Sequence, residues 1–495
     1  MTFSSFIEGV NLILSYPTIL WVVAGIIIGI FVGSLPGLGA SLGMAILLPL
    51  TLPMNALDAL VLLIGIYSGA MYGGSIAAIL LNAPGTSAAA ATTFDGYPMS
   101  RQGQAVTALS ISATASAFAG LFTITTLILI SPILIGLVLA FGSPEYFMIA
   151  VLGLAMITVV ARGSMVKGLL AGAFGLSLTT IGVAPMAVDP RYTFGYLPLY
   201  DGLSFVAVLI GLFAIGEMIK LAGEEGGIAK GEMEFTGSIV PGIKTVFQHP
   251  ITFLKSAYIG MGIGSIPGAG STVSNFVAYT EAARSASDTG TFGAGNPVGV
   301  VASEASNNGT VGGSVIPALA FGIPGSAATA VLIGGLLMHG LQPGPELFDP
   351  AGQLSLTYGF FFALLVGNLV ILIFGLAMVT RLGYLTKINT DYIIPMIIIL
   401  SFLGAFSLRT NWVDVGTIII LGMIGFYMKK YNYSIIAFVL GVVLGPIAEE
   451  NLFRSLQISD GTFLIFVTQP ISLILFIMTL FILFGPFIKS WYEQQ

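Results

Sequence analysis

The sequence predicts an all-α polytopic membrane protein of about twelve transmembrane segments, built as two repeats, with broken helices and helical hairpins. Three observations predict it: the composition, the length of the apolar runs, and a helix-breaking pattern that occurs twice. Of 495 residues, 56% are hydrophobic and 8% charged, with a mean hydropathy of +1.00, whereas soluble domains carry about 25% charged residues. Apolar runs of roughly twenty residues, enough to cross a hydrocarbon core of about 30 Å, recur between short polar turns. Within such sequence, Gly33-Ser-Leu-Pro-Gly-Leu-Gly39 returns as Gly264-Ser-Ile-Pro-Gly-Ala-Gly270.

Composition also excludes some chemistry. There is no cysteine, so neither disulfides nor thiol catalysis contribute. The formal net charge of −6 includes no basic surface for nucleic acid, and a nucleic-acid partner is not expected. The partner of most of the surface is the lipid bilayer.

Each segment follows in order. Residues 1–16 read as an interfacial helix, with Phe3, Phe6, Ile7, Val10, Ile13 and Leu14 on one face and Ser4, Ser5, Glu8 and Asn11 on the other. No basic n-region or small-residue cleavage site marks it for removal, so it is expected to be retained. Residues 17–219 form the first membrane repeat: an apolar run from Trp21 to the first breaker, a half-length stretch from Ala40 to Leu52, then spans near 57–81, 104–141 with a break at Pro132, 146–161, 168–186 and 203–219. Residues 220–255 are a polar cytoplasmic linker, carrying Lys220, Glu224, Glu225, Lys230, Glu232, Glu234, Lys244 and His249. Residues 256–380 are the core of the second repeat, with spans near 298–322, 324–338 and 353–380. Residues 381–495 supply C-terminal membrane helices near 392–408, 413–428, 432–447 and 462–488. The linker lysines, with Arg162, Lys167, Arg381, Lys387, Lys429 and Lys430, mark cytoplasmic loops by the positive-inside rule.

The repeat extends beyond the breaker. Gly-Gly-Ser follows in both halves, at Gly73–Ser75 and Gly312–Ser314, and then a second Pro-Gly, in Pro84-Gly85-Thr86-Ser87 and Pro324-Gly325-Ser326-Ala327. An ordered series at nearly constant spacing means internal duplication. The near-odd number of segments between the breakers favours inverted orientation, with 104–141 holding one crossing or two.

Proline removes a backbone donor and glycine permits the angles a break needs. Broken helices at membrane depth must be buried in protein or line a cavity. Their N-terminal N–H groups suit an anion, and their unwound carbonyls suit a cation. The candidate substrate-binding set is therefore Ser34, Pro36, Gly37, Gly39, Asn82, Pro84, Gly85, Thr86 and Ser87 in one half, and Ser265, Pro267, Gly268, Gly270, Ser271, Asn307, Asn308, Pro324, Gly325 and Ser326 in the other. Candidates for cation coupling are Ser41, Thr272, Glu304, Asn308 and Thr329. Taken singly, each small or hydroxyl residue is more often a helix-packing residue; the repeated constellation favours a site.

At these residues the chain resembles a known family. The first breaker, Ile66-Tyr-Ser-Gly-Ala-Met-Tyr-Gly-Gly-Ser75, Asn82-Ala-Pro-Gly-Thr86 and Asp95-Gly-Tyr-Pro-Met99 are similar to segments of the large membrane subunit of tripartite tricarboxylate transporters, the TctA family. The second breaker, Glu304–Asn308, Phe321-Gly-Ile-Pro-Gly-Ser326 and His339-Gly-Leu-Gln-Pro-Gly-Pro345 follow in the family's order. Ser303-Glu-Ala-Ser-Asn-Asn-Gly309 departs from the family's usual Pro-Glu-Ala-Ala-Asn-Asn-Ala but keeps the polar pair. The resemblance implies a permease in the bacterial inner membrane, working with a small membrane subunit and a periplasmic substrate-binding protein. It implies import of an organic tri- or dicarboxylate such as citrate, coupled to a cation gradient, sodium or alternatively protons, with no bound cofactor. It also suggests an elevator arrangement.

Remaining charges are weighed singly. Glu304 is a functional candidate as an intramembrane ionisable group, with a domain-interface hydrogen bond as the equal alternative. Arg101 and Arg284 could clamp a carboxylate but read more simply as loop charges. His339 could carry a proton, although a turn-stabilising role is the simpler reading. An intramembrane hydrolase using Ser75 and His339 is the enzymatic alternative, and its signal is weak: Gly-Ser recurs throughout, and one catalytic centre does not explain duplicated hairpins. A non-transporting scaffold would not need paired breakers.

Overall fold

A computed structural model describes residues 2–160, 164–187, 189–223, 236–286, 289–381 and 390–493. It is almost wholly helical. The exceptions among the described residues include a two-residue antiparallel pairing of Gly182–Val183 with Pro190–Arg191. Among the described residues, six helices are long and apolar enough to cross a membrane, or seven if the bent pair Phe3–Leu14 and Thr18–Ser34 forms one span. Shorter apolar helices, such as Gly39–Thr51 and Ala327–Met338, lie between them. Arg162, Lys387 and residues 224–235 of the polar stretch fall outside the described residues. The stretch continues as helices Ile239–Gln248 and Pro250–Gly264.

Two helical hairpins and two long helices organise the centre. The first hairpin is Thr18–Ser34 followed by Gly39–Leu47, where the chain turns back so that Gly43 lies against Val32. The first long helix is Ala56–Leu81. Its start is fixed by Asn55, whose side chain accepts from the Asp58 amide at 2.9 Å, while Thr18 donates to Asp58 at 2.7 Å. That satisfies helix-start donors and lays the two helices side by side from their first turns.

Glycines let them touch. A Cβ on Gly25, Gly29 or Gly33 would come within 2.5 Å of the carbonyl oxygens of Leu62, Ile66 and Ala70 respectively, and Gly69 and Gly73 press equally on Ile26 and Ile30. The order of these contacts makes the two helices parallel. The second hairpin, Pro250–Gly264 with Gly270–Ser285, meets the second long helix, Pro297–Phe321, in the same way. Gly260 and Gly264 face the Ser306 and Thr310 carbonyls, and Gly309 and Gly313 face those of Ala257 and Met261. Both long helices end on a left-handed residue, Asn82 at φ 56° and Gly322 at φ 67°, a conformation that frees the chain to turn.

These contacts correct one sequence expectation. Gly73 is matched by Gly313, not Gly312, so Gly74 stands where Ser314 stands and the two Gly-Gly-Ser runs are offset by one residue. The glycines are spaced to present bare backbone to the neighbouring helix every fourth residue, and that spacing sets the register.

A second correction concerns Pro132. Ala105–Leu139 is one α-helix with Pro132 inside it, not a broken one. The carbonyl that Pro132 cannot serve is that of Ile128, and it accepts instead from the Ser131 hydroxyl at 2.7 Å. Ser131 is further held by Tyr358 at 2.9 Å.

The long helix Ala105–Leu139 gives both halves a common direction marker. Along the second long helix, Glu304 meets Ser112 and Ser116, and Gly312 meets Thr123, so the two run parallel. The first long helix places Ser75 against Ser112, while Tyr67 crosses to Ser314. Lysines gather at one end: Lys167 donates to the Tyr431 carbonyl at 2.8 Å, and Lys220 and Lys429 both pair with Glu217.

Candidate functional site

Both breakers adopt one backbone form. Gly37 and Gly39 have φ of 85° and 58°, and their counterparts Gly268 and Gly270 have 73° and 62°. These left-handed angles strain any side-chain-bearing residue, which explains why the pattern carries a glycine at both places. The second Pro-Gly of each half then folds onto the breaker. A Cβ on Gly85 would sit 1.8 Å from the Gly33 carbonyl oxygen, and one on Gly325 would sit 2.6 Å from that of Gly264. Backbone bonds complete the tips, from Gly85 to the Gly74 carbonyl at 3.1 Å and from Gly268 to the Pro324 carbonyl at 3.2 Å.

The four breaks converge on one cavity of about 580 Å³. Of the predicted residues, Gly39, Ser41, Thr86, Ser87, Gly268, Gly270, Ser271, Thr272 and Ser326 line it. The two halves are tied across it: Thr272 donates to Ser87 at 3.0 Å, Asn275 to the Ala88 carbonyl at 2.9 Å, and Tyr67 lies 2.8 Å from Ser314. Helices Gly39–Leu47, Gly270–Ser285 and Ala327–Met338 all begin at its wall. Three helix N-termini around one space supply N–H groups and partial positive charge to an anion.

The remaining predicted residues stand behind this wall. Ser34 donates to the Phe31 carbonyl and Ser265 to that of Gly262, both at 2.7 Å, closing the helix ends before each breaker. Pro36 is buried while Gly37 is exposed beside Glu217 and Leu221. Asn82, Pro84, Gly85, Pro267, Pro324 and Gly325 shape the turns without lining the cavity. Thr329 caps its own helix, accepting from the Ser326 amide at 2.8 Å. Asn307 donates to the Met71 carbonyl at 2.8 Å and so supports a cavity residue from behind. Asn308 meets Asn368 at 3.4 Å. The Oδ1 atoms of both asparagines are buried and accept no hydrogen bond from the described residues.

Glu304 is fully buried within a cluster of hydroxyls. Its carboxylate accepts from Ser112 and Ser116, each at 3.0 Å, and from Thr92. Three hydroxyl partners satisfy the buried carboxyl group. It does not line the cavity.

Other sequence candidates lie elsewhere. Arg101 and Arg284 are exposed and away from the cavity lining. His339 bonds Thr51 at 3.1 Å, while Ser75 bonds Ser112 at 2.6 Å, so the pair imagined for a hydrolase is not assembled.

Sequence reasoning missed several residues. Tyr67, Lys429, Asn432, Tyr433 and Ser434 line the cavity. Tyr67 sits inside a quoted motif, but nothing in its spacing aims it at Ser314. Asp95 was also passed over. One of its oxygens accepts from the amides of Gly293, Gly295 and Asn296 at 2.8 to 2.9 Å, and the other from Tyr279 at 2.8 Å. This pins the loop before the second long helix.

Comparison with known proteins agrees with the motif resemblance. A family model described as the tripartite tricarboxylate transporter TctA family matches residues 19–440. An uncharacterized 52.8 kDa protein in the TAR-I ttuC' 3' region of Agrobacterium vitis is 34% identical over 417 residues, covering 84% of this chain and 82% of that protein. An uncharacterized protein in the TAR-II ttuC' 3' region of the same organism is 32% identical over 213 residues, 43% of this chain and 87% of that protein. No solved structure matches the chain. The chain belongs to the TctA family and is a multi-pass membrane component of tripartite tricarboxylate transport.

Proposed function

We propose that the chain is the permease subunit that binds an organic di- or tricarboxylate in the cavity between its broken helices and carries it inward with a cation. The observation that carries this reading is the convergence of both breakers and both second Pro-Gly turns on one space lined by hydroxyls and helix N-termini. Neutral donors fixed in place bind carboxylates without a buried counter-charge in the empty state. Citrate is the representative substrate and sodium the coupling ion, with protons as the alternative.

Ser41 and Thr272, which line the cavity, and the unpartnered Asn308 oxygen behind it support a sodium route. Glu304, buried with hydroxyl partners only, supports a proton or cation role one helix face away. The pair-for-pair glycine contacts support two repeats, and the antiparallel run of the two long helices, with Tyr67 at Ser314 and Met71 at Asn307, supports their inversion. An elevator movement of the hairpins against the remaining helices fits that symmetry. Among the described residues, the six long spans, the bent pair and the shorter apolar helices support a count of about twelve segments. Lys429 at the cavity wall and Lys167 on the nearby Tyr431 carbonyl, read with the positive-inside rule, support an inward-facing arrangement in the bacterial inner membrane. A small membrane subunit and a periplasmic binding protein complete the transporter.

Reconstituted with those partners, the protein is expected to accumulate citrate or a related acid only under an imposed cation gradient. Equilibration independent of any gradient would defeat the coupled mechanism. Gly37→Val and Gly268→Val are expected to insert normally yet lose uptake, because each left-handed angle costs a β-branched residue roughly 1–3 kcal/mol.

A further inference from the structure

The cavity has one charged lining residue among those described, and the sequence had assigned it to a loop. Lys429 lies at the end of the helix Trp412–Lys430 and is a lining residue of the cavity, as are Ser41, Ser87, Ser271 and Thr272. Its ammonium group pairs with Glu217, whose side chain is 9% exposed. Glu217 lies against the first breaker, with one carboxylate oxygen 3.9 Å from where a Cβ on Gly37 would sit. It also has a second cation, Lys220, at 3.4 Å.

Resting on the carboxylate reading above, we infer that Lys429 is the charged recognition residue of the cavity, and that Glu217 holds it until a substrate carboxylate takes Glu217's place. A di- or tricarboxylate brings two or three negative charges, and each helix N-terminus offers only about half a positive charge. A full cation within reach adds charge that the helix ends and hydroxyls do not supply, and Lys429 is a lining residue. Lysine suits an exchange because its flexible stem and three rotatable donors do not demand one fixed partner geometry. Moving Lys429 from one carboxylate to another leaves its own pairing intact. Lys220 keeps Glu217 from being left bare when that happens, which lowers the cost of release. Glu217 thus acts as an internal competitor, and its position beside Gly37 couples the exchange to the hairpin tip.

The two variants of this pair have opposite expected signs. Uptake of radiolabelled citrate, malate and succinate is measured in proteoliposomes holding the full chain with its partner subunits. For whichever acid the wild type takes up, Lys429→Gln is expected to raise KM by about tenfold or more, Lys429→Arg to recover part of that loss, and Glu217→Gln to lower KM severalfold. Lys430→Gln, one residue outside the lining, keeps the wild-type value. An ion pair that only holds the helices together would weaken transport in the same direction when either partner is replaced. That outcome, or an unchanged KM in Glu217→Gln, overturns the inference, and the Glu217 variant decides it alone if Lys429→Gln does not reach the membrane. Failure of the wild type to take up any of the three acids overturns the carboxylate reading itself.

Discussion

The two long helices hold equivalent places and carry different chemistry. Aligned by their glycine contacts, Ile64 of the first stands where Glu304 stands in the second, Tyr67 where Asn307 stands, Ser68 where Asn308 stands and Gly74 where Ser314 stands. The shared features are all backbone devices: parallel glycine contacts, a left-handed end, a Pro-Gly turn folded onto the breaker. The differing features are polar side chains. The two halves thus share a backbone frame, whereas Glu304, Asn307 and Asn308 have no carboxyl or amide counterpart at the matching places of the first long helix. Glu304, Asn307 and Asn308 do not line the cavity, although Asn307 bonds the lining residue Met71.

The largest expected effect comes from breaking what the halves share. Gly85→Ala places a Cβ 1.8 Å from the Gly33 carbonyl oxygen, while Gly325→Ala meets its counterpart at 2.6 Å. Backbone cannot retreat as a flexible side chain can, so both variants are expected to lose transport and to lower the melting temperature. Overpacking of this kind costs about 1–3 kcal/mol or more, with Gly85→Ala the more severe. Equal stability of the two variants in a thermal-denaturation assay in detergent would contradict the tighter first tip.

Next comes a feature found in one half only. Glu304→Ala removes the acceptor of Ser112, Ser116 and Thr92; Ser112 keeps Ser75 and Thr92 keeps Ser303, so the cost falls mainly on Ser116, at about 1–3 kcal/mol. Uptake is expected to fall to background, whereas Ile64→Ala at the matching place should retain measurable uptake at reduced stability. Comparable uptake by the two variants would show that the carboxylate adds nothing beyond packing.

A smaller effect is expected at the loop before the second long helix, which has no counterpart of equal length in the first half. Asp95→Asn weakens three amide bonds and the Tyr279 bond. Hydrogen exchange at Gly293, Gly295 and Asn296 should quicken by roughly ten- to a hundredfold, in line with charged bonds of about 1.5–3 kcal/mol. Unchanged protection there would mean that the loop holds itself.

Much of the frame was legible because its signals are local. The interfacial pattern of residues 1–16 corresponds to helix Thr2–Leu14, and both breakers fall at the ends of Thr18–Ser34 and Pro250–Gly264. The break expected at Pro132 was not legible correctly, because its repair depends on a serine one residue earlier whose side chain reaches back to Ile128. The site was half legible. Ser87, Thr272 and Ser326 were placed at the cavity by adjacency to the turns, but Asn307, Asn308 and Glu304 carry no local sign of which helix face they occupy. Lys429 was read as a loop charge because its distance from the breakers along the chain hides its distance in space.

The sequence by itself determined the class, the all-helical character and the four places where helices must stop. Those follow from hydropathy and from the backbone limits of proline and glycine, which act within a few residues. Only the tertiary structure decided that the four stops meet in one cavity, that Gly73 aligns with Gly313, and that Lys429 stands at the wall beside Glu217. These depend on how helices cross, and crossing is set by bare glycine backbone meeting carbonyls far away in the chain.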